Sequence, residues 1–338
     1  MTPKVSVIIP CRDEAHFIDQ CLESVLASEY PPDRLEVIVA DGISSDGTRQ
    51  RLEWHATRNT RLRLIDNPAC TTPQALNRAI AAAQGEFILR LDAHAWIAPD
   101  YISRAVQNLE EWGADCVGGA MRTVTPDAGV FAKAIRIGLS QRFGVGNAHF
   151  RTGSEQPRSV DTVFGACWRR EIFEQIGGFN ERLERSQDIE FSTRLRRAGG
   201  TILMSPEMKI LYYAPATLAR FWRHNWSNGV WAILPFAHVS GMVVRWRHLM
   251  PLALVVGLAG SMAAAAGTGI GWLAWMIAGP YLAANCIASA QNAWKQRSMK
   301  LGLQLPVVFA SLHLAYGSGS LWGGARVSAG LIKPKAAA

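Results

Sequence analysis

The chain of 338 residues has no acidic side chain beyond Glu207. All 27 aspartates and glutamates lie in the first 207 residues, where 24 lysines and arginines leave a small negative excess. The remaining 131 residues carry 11 basic side chains and none acidic, so the net charge of +8 averages over two physical environments. A basic, acid-free and apolar half is expected to meet a membrane rather than nucleic acid.

Charge of either sign is missing from Leu249 to Trp294, a run of 46 residues between "RWRH" and "KQRSMK". A spanning helix takes about 20 apolar residues, so this run fits two spans, near 249–268 and 270–292, joined around "GTGIG". A buried helical hairpin of a globular domain has no need of such length. A third uncharged run, Leu301–Ala325, is interrupted by Pro306, His313 and several glycines, and its segment 303–324 either spans or re-enters. Arg245 and Arg247 precede the first span, and Lys295, Arg297 and Lys300 follow the second. All five fall on one side, which the positive-inside rule assigns to the cytoplasm of an inner-membrane, multi-pass protein, together with the N-terminal region. A basic tail, 326–338, follows.

Other absences narrow the first 207 residues. "MTPKVSVIIP" is too short, and too early broken by Pro10, to be a signal peptide or a span, so no export is expected. The six cysteines form no C-x-x-C pair and no metal-finger spacing, and they read as reduced packing thiols of a cytosolic domain. "GVG" at 144–146 lacks a third glycine and a preceding strand, which excludes a Rossmann dehydrogenase.

What is present is a strand and helix rhythm. "VSVIIP" is a buried β-branched strand, "AHFIDQCLESVLAS" an amphipathic helix, and "LEVIVAD" a second strand ending in the turn-rich "GISSDGT". "LRLID", the helix "TPQALNRAIAAAQG" and the strand "EFILRLD" continue it, as in an α/β fold with a mostly parallel sheet. Ligands of open α/β sheets gather at the carboxyl ends of the strands, which here are Pro10–Glu14, Asp41, and Asp92 with His94. Beyond the sheet, "ATLARFWRHNWSNGVWAILPF" reads as an amphipathic interfacial helix within a linker, 215–247.

Four stretches, "VSVIIPCRDEAHFIDQCLESV", "EVIVADGISSDGT", "ALNRAIAAAQGEFILRLDAHA" and "FGACWRREIFEQIGGFNERLERSQDIEFSTRLRRAGG", resemble in order and spacing the motifs of family 2 glycosyltransferases, most of all their membrane-tailed members that build bacterial exopolysaccharides. The resemblance implies a GT-A nucleotide-sugar-binding domain over 1–214. It also implies an inverting transfer of one sugar from a nucleotide sugar, a UDP-hexose by expectation, to a lipid-linked saccharide. Two other readings are a polyprenyl-phosphate sugar synthase and a non-catalytic membrane subunit with the same fold. No Gln-x-x-Arg-Trp motif of processive synthases occurs.

Residue by residue, Asp41 matches the aspartate that accepts a hydrogen bond from the uracil ring, or it is a turn-forming Asx before Gly42. Pro10, Arg12, Asp13 and Glu14 match the loop that lines the nucleoside, with Asp13 standing where Asn is common and either type able to cap the next helix. Asp46 reads as a cap or turn residue. Asn77 is expected to reach the sugar nucleotide, with Arg78 beside it, or both lie on a solvated helix face. Asp92-Ala93-His94 stands where the family has Asp-x-Asp, which binds Mg²⁺ or Mn²⁺ and through it the diphosphate. Positions i and i+2 of an extended segment share a side, and imidazole suits Mn²⁺ better than Mg²⁺. The alternative is His94 as a neutral turn residue.

Asp188 matches the catalytic base, with Gln187 replacing a glutamate that would otherwise raise its pKa, or it is a plain helix N-cap. Glu190 and Arg194, at i and i+4, read as a solvated ion pair. The "GVG" segment is expected to be flexible and near acceptor or diphosphate.

Overall fold

The computed structural model describes residues 2–125, 129–237 and 245–329. Contacts divide the chain into two compact units, Met1–Arg122 with Gly153–Tyr212, and Thr123–Thr152 with Tyr213–Ala338. The second unit therefore takes in 123–152, which the sequence places inside the transferase domain.

In the first unit the β-branched run at the N-terminus forms β1 (Val5–Cys11), followed by α1 (Ile18–Leu26), β2 (Leu35–Asp41), α2 (Thr48–Arg58), β3 (Leu62–Asp66), α3 (Thr72–Ala82) and β4 (Phe87–Arg90). Every residue of β2 is buried, as expected of a strand covered on both faces. On its inner face α1 buries Ile18, Cys21, Leu22 and Val25. β1 pairs in parallel with both β2 and β4, and β2 pairs in parallel with β3. The order β3-β2-β1-β4 puts the topological switch between β1 and β4, the place where an open α/β sheet leaves a crevice at its carboxyl edge.

The chain continues through β5 (Ala95–Ile97), α4 (Tyr101–Glu111) and β6 (Cys116–Val124). Three short helices of the second unit come next: α5 (Val130–Gly138), α6 (Arg142–Val145) and α7 (His149–Thr152). It returns to the first unit as β7 (Arg158–Ser159), β8 (Phe164–Arg169), α8 (Glu171–Ile176), α9 (Gln187–Arg197) and β9 (Ile202–Tyr213). The sheet is extended past β4 by β8, β6, β9 and β5, with antiparallel pairs β4 to β8, β6 to β8 and β5 to β9, and β7 pairs with β9. Gly177, at φ 77°, stops α8 where an L side chain would be strained. Phe179 then turns back into an aromatic cluster, its ring centroid 4.7 Å from that of Phe191.

The second unit ends in α10 (Leu218–Ile233), α11 (Trp246–Thr268), α12 (Trp275–Lys295) and α13 (Met299–Ser328). Among the described residues, three stretches are long and apolar enough to cross a membrane: Trp246–Thr268, Gly271–Lys295 and Met299–Ser328. They differ in surroundings, with 6%, 11% and 50% of their most apolar windows buried. Helix α13 is the centre of this unit, its Leu301, Leu305, Val308 and Phe309 packing with Phe221 of α10 and Ile135 of α5. Backbones of α10 and α13 approach so closely that a Cβ on Gly319 would lie 2.1 Å from the Trp226 carbonyl oxygen. One on Gly229 would lie 1.9 Å from that of Tyr316, the small-residue contact that joins apolar helices.

The helix expected to lie in the interface as a linker packs on α13 with Phe221 fully buried, while Trp222 remains 40% exposed. One expectation changes here. The "GVG" segment is not a loose loop, because Gly144 is buried in α6 and the neighbouring Phe143 packs edge-on to Phe309 at 5.0 Å. Residues 238–244 of the linker and most of the basic tail lie outside the described residues.

Candidate active site

The switch between β1 and β4 gathers most of the residues expected from sequence. Pro10 lies near the end of β1 and the loop after it carries Arg12, Asp13 and Glu14, β2 ends in Asp41, and Asp92 and His94 follow β4. Several hydrogen bonds knit the first loop to the segment after β2, among them one from Asp13 N to Ser44 Oγ at 2.9 Å. Asp13 Oδ1 accepts from Ser45 N at 2.8 Å, Glu14 N donates to Thr48 Oγ1 at 2.7 Å, and Ala15 N donates to Asp46 Oδ2 at 3.1 Å. Asp46 also accepts from Thr48 N, which fits the turn role read for it.

Asp13 has φ 54°, a left-handed conformation that Asp and Asn tolerate better than other L residues. That demand explains the residue type at this position, and it displaces the reading as a helix cap. Half-exposed Arg12 reaches the Cys70 carbonyl at 3.3 Å and lies over Gly42, where a Cβ would sit 3.2 Å from its own. Pro10 pairs with Ala40 in the sheet. Asp41 is 1% exposed, and its carboxylate accepts from Ser44 Oγ at 2.5 Å and from Arg49 Nη1 at 3.4 Å. Ser44 N also lies 3.4 Å from both carboxylate oxygens, so the acceptor positions of this buried group are met largely from within the protein.

On the other side of the crevice, His94 Nδ1 lies 2.7 Å from Glu14 Oε1, a contact that crosses from the β1 loop to the β4 loop. The imidazole also meets the Tyr212 ring edge-on at 5.0 Å. Burial opposes its protonation, but Tyr212, the Glu14 hydrogen bond and charge, and Asp92 outweigh this and raise the His94 pKa to about 10. A cation at this nitrogen base competes with that proton. Asp92 Oδ1 accepts from Arg90 Nη2 at 3.0 Å and Nε at 3.3 Å. Although burial works to raise the Asp92 pKa, the Arg90 charge, His94 and the Arg90 hydrogen bond bring it below the usual carboxylate range.

Arg90 was not singled out by sequence. Burial works against its charge, yet the fields of Asp92 and Asp188 hold its pKa above the usual arginine range. It bonds the expected metal ligand and feels the charge of the expected base. An arginine inside the apolar run "FILRL" was the available signal, since a buried strand carries a charge only where a partner compensates it. Tyr212, at the end of β9, had no comparable signal.

Asp188 is the second residue of α9, after Ser186 at the N-cap position, so it is not the cap itself. Gln187 beside it is 5% exposed, and its Oε1 has no hydrogen-bond partner among the described residues. Asn77, expected to reach the sugar nucleotide, bonds the turn after α8. Its amide donates to Phe179 O and to Glu181 Oε1, both at 2.9 Å, and accepts from Phe179 N at 2.8 Å, with Gly178 small enough to admit it. Both N–H donors are occupied, so Asn77 braces the turn after α8 in this structure. The solvated ion pair is corrected too: Glu190 is 3% exposed and binds Arg194 at 2.7 Å, while Arg194 also donates to the carbonyls of Ile176 and Gly178.

The donor set suits a divalent cation bound together with phosphates. No group of three metal-binding side chains occurs among the described residues. However, a cation at a diphosphate needs only one or two protein ligands. Asp92 Oδ2 and His94 Nε2 are the atoms left for it by the bonds above.

Residues 6–177 match the family model described as Glycosyl transferase family 2, and the chain belongs to that family. It is 31% identical over 318 residues to the succinoglycan biosynthesis protein ExoA of Rhizobium meliloti (strain 1021), covering 93% of this chain and 92% of the relative. It is 25% identical over 234 residues to the dolichyl N-acetyl-α-D-glucosaminyl phosphate 3-β-D-2,3-diacetamido-2,3-dideoxy-β-D-glucuronosyltransferase of Methanococcus voltae, covering 67% and 71%. Among solved structures, the mannosyltransferase PcManGT from Pyrobaculum calidifontis in complex with GDP-Man and Mn²⁺ superposes with a TM-score of 0.65 at 22% identity, over 95% of this chain and 88% of the other. The chain is a glycosyltransferase of the GT-A fold. Asp188 lies beyond the matched range.

Proposed function

We propose that this protein transfers one sugar, with inversion, from a nucleotide sugar to a lipid-linked saccharide in the assembly of an extracellular polysaccharide, with its sheet unit on the cytoplasmic side of the inner membrane. The observation that carries the reading is the convergence at the β1/β4 switch of Glu14, Asp92 and His94, with Arg90 bonded to Asp92. Pro10, Arg12, Asp13 and Asp41 form the nucleoside side, where Asp41 accepts from the base. A UDP-hexose suits an acceptor carboxylate, because uracil presents an N–H there.

Asp188 takes the proton from the acceptor hydroxyl as that oxygen bonds to the anomeric carbon, and the nucleoside diphosphate leaves on the opposite face. Asp92 and His94 would hold a divalent cation, Mn²⁺ rather than Mg²⁺ on the evidence of the imidazole, which would neutralise charge on the departing diphosphate. Arg90 favours the ionised form of Asp92 in a partly dry site. No covalent enzyme intermediate is needed.

The lipid-linked acceptor is supported by the dolichyl-phosphate-linked sugar in the name of the Methanococcus voltae relative, and the polysaccharide by succinoglycan in the name of the Rhizobium one. Membrane attachment rests on α11 and α12, whose tryptophans fall at the ends: Trp246 and Trp294 are 74% and 88% exposed beside the basic flanks, Trp272 and Trp275 are 65% and 63% exposed at the turn. Aromatic belts at both ends of an apolar hairpin are the mark of a bilayer crossing. Purified protein given a panel of nucleotide sugars and a membrane lipid extract should form a glycolipid detectable by mass. Inactivity with every donor would overturn the proposal.

A further inference from the structure

We infer that Glu14 is a positioning residue for the cation site, holding the His94 ring so that Nε2 presents its lone pair to the metal. This rests on the reading of His94 as a ligand.

An ionised carboxylate only accepts hydrogen bonds, so the Glu14 Oε1 contact at 2.7 Å places a proton on Nδ1 and, in the neutral ring, leaves Nε2 as the free base. Histidine ligands elsewhere are oriented by a carboxylate in this way. Glu14 is itself fixed by the bond from its backbone N–H to Thr48 Oγ1 at 2.7 Å. The ring is flanked by Tyr212, with centroids 5.0 Å apart, and by Phe17 at 6.4 Å, which restricts rotation. A neutral imidazole brings no charge to a cation, whereas Glu14 places one directly behind it. An aspartate at position 94 would need neither the tautomer nor the charge, so the pair is a matched substitution. Glu14 thereby leaves the nucleoside group to which the sequence assigned it.

The test uses the full chain in detergent, with UDP or GDP and Mn²⁺, and reads binding by titration calorimetry and by the electron paramagnetic resonance of free Mn²⁺. Glu14→Ala should weaken Mn²⁺ binding about 10- to 100-fold in the presence of nucleotide, and isosteric Glu14→Gln about 10-fold. Metal-free nucleotide affinity should stay unchanged in both. In a His94→Asp background the same Glu14 changes should shift Mn²⁺ affinity less than about 3-fold, because the coupling runs through the ring. A wild-type protein that binds neither nucleotide overturns the transferase site itself. Wild-type binding with unchanged Mn²⁺ affinity in both Glu14 variants, a loss of metal-free nucleotide binding, or an equal loss in the His94→Asp background overturns the role of Glu14 alone.

Discussion

The sheet unit and the helical unit both bury polar side chains, but of different kinds. In the sheet unit Glu36, Asp41 and Glu190 are under a tenth exposed, and each is bonded: Glu36 accepts from Ser6 Oγ and Gln84 N, Asp41 from Ser44, Glu190 from Arg194. In the helical unit the buried polar residues among those described are Thr123, Asn225, Asn285, Ser289, Ser311, His313 and Ser320, with no Asp, Glu, Lys or Arg. There they join helices: Asn285 donates to Pro306 O at 3.0 Å, Ser320 to Gly229 O at 3.1 Å, and His313 bonds Phe143 O at 2.9 Å. Carboxylates are buried where hydrogen-bond donors or a guanidinium meet them. Neutral groups serve where the surroundings are apolar and an unmade bond is costly.

Three substitutions probe that contrast. Gly319→Leu places a side chain against the Trp226 backbone, which cannot yield without separating α10 from α13, and should cost about 3 kcal/mol, read as a fall in thermal stability in detergent. Arg90→Met leaves Asp92 without its partner in the sheet unit. A loss of about 2 kcal/mol is expected, with reduced transfer that Arg90→Lys restores only in part, because lysine lacks the second donor. Trp294→Ala, at an exposed site beside the basic flank, should change stability by less than about 0.5 kcal/mol yet lower partition into anionic vesicles, measured by flotation. A large destabilisation there would mean that protein, not lipid, covers this end of α12.

Much of the sheet unit is legible in sequence because β1 to β4 are short, largely apolar or alternating runs bounded by turn residues, and their carboxyl ends could be found from the pattern alone. The strands at 116–124 and 202–213 are not, since Gly118-Gly119 breaks one and Pro206-Glu207 the other. The helices of 129–152 carry no mark of belonging with α13, because that contact is between residues far apart in the chain. Spacing told that Glu190 and Arg194 meet, but not that they are buried. Apolar length likewise found three candidate spans, but could not show that α13 is half covered by its own unit. At the site, Asp92, His94 and Asp41 followed from strand ends, whereas the Glu14 contact needed the order β3-β2-β1-β4, which no local pattern carries.

The most direct test concerns Asp188. With wild type and Asp188→Asn purified side by side, transfer from the accepted nucleotide sugar to lipid-linked saccharide is quantified by mass. The asparagine variant should bind Mn²⁺ and nucleotide as wild type does and transfer about 1,000-fold more slowly, the usual contribution of a positioned base. Transfer at the wild-type rate would contradict the base assignment and point instead to a phosphate acceptor, which has no proton to give up.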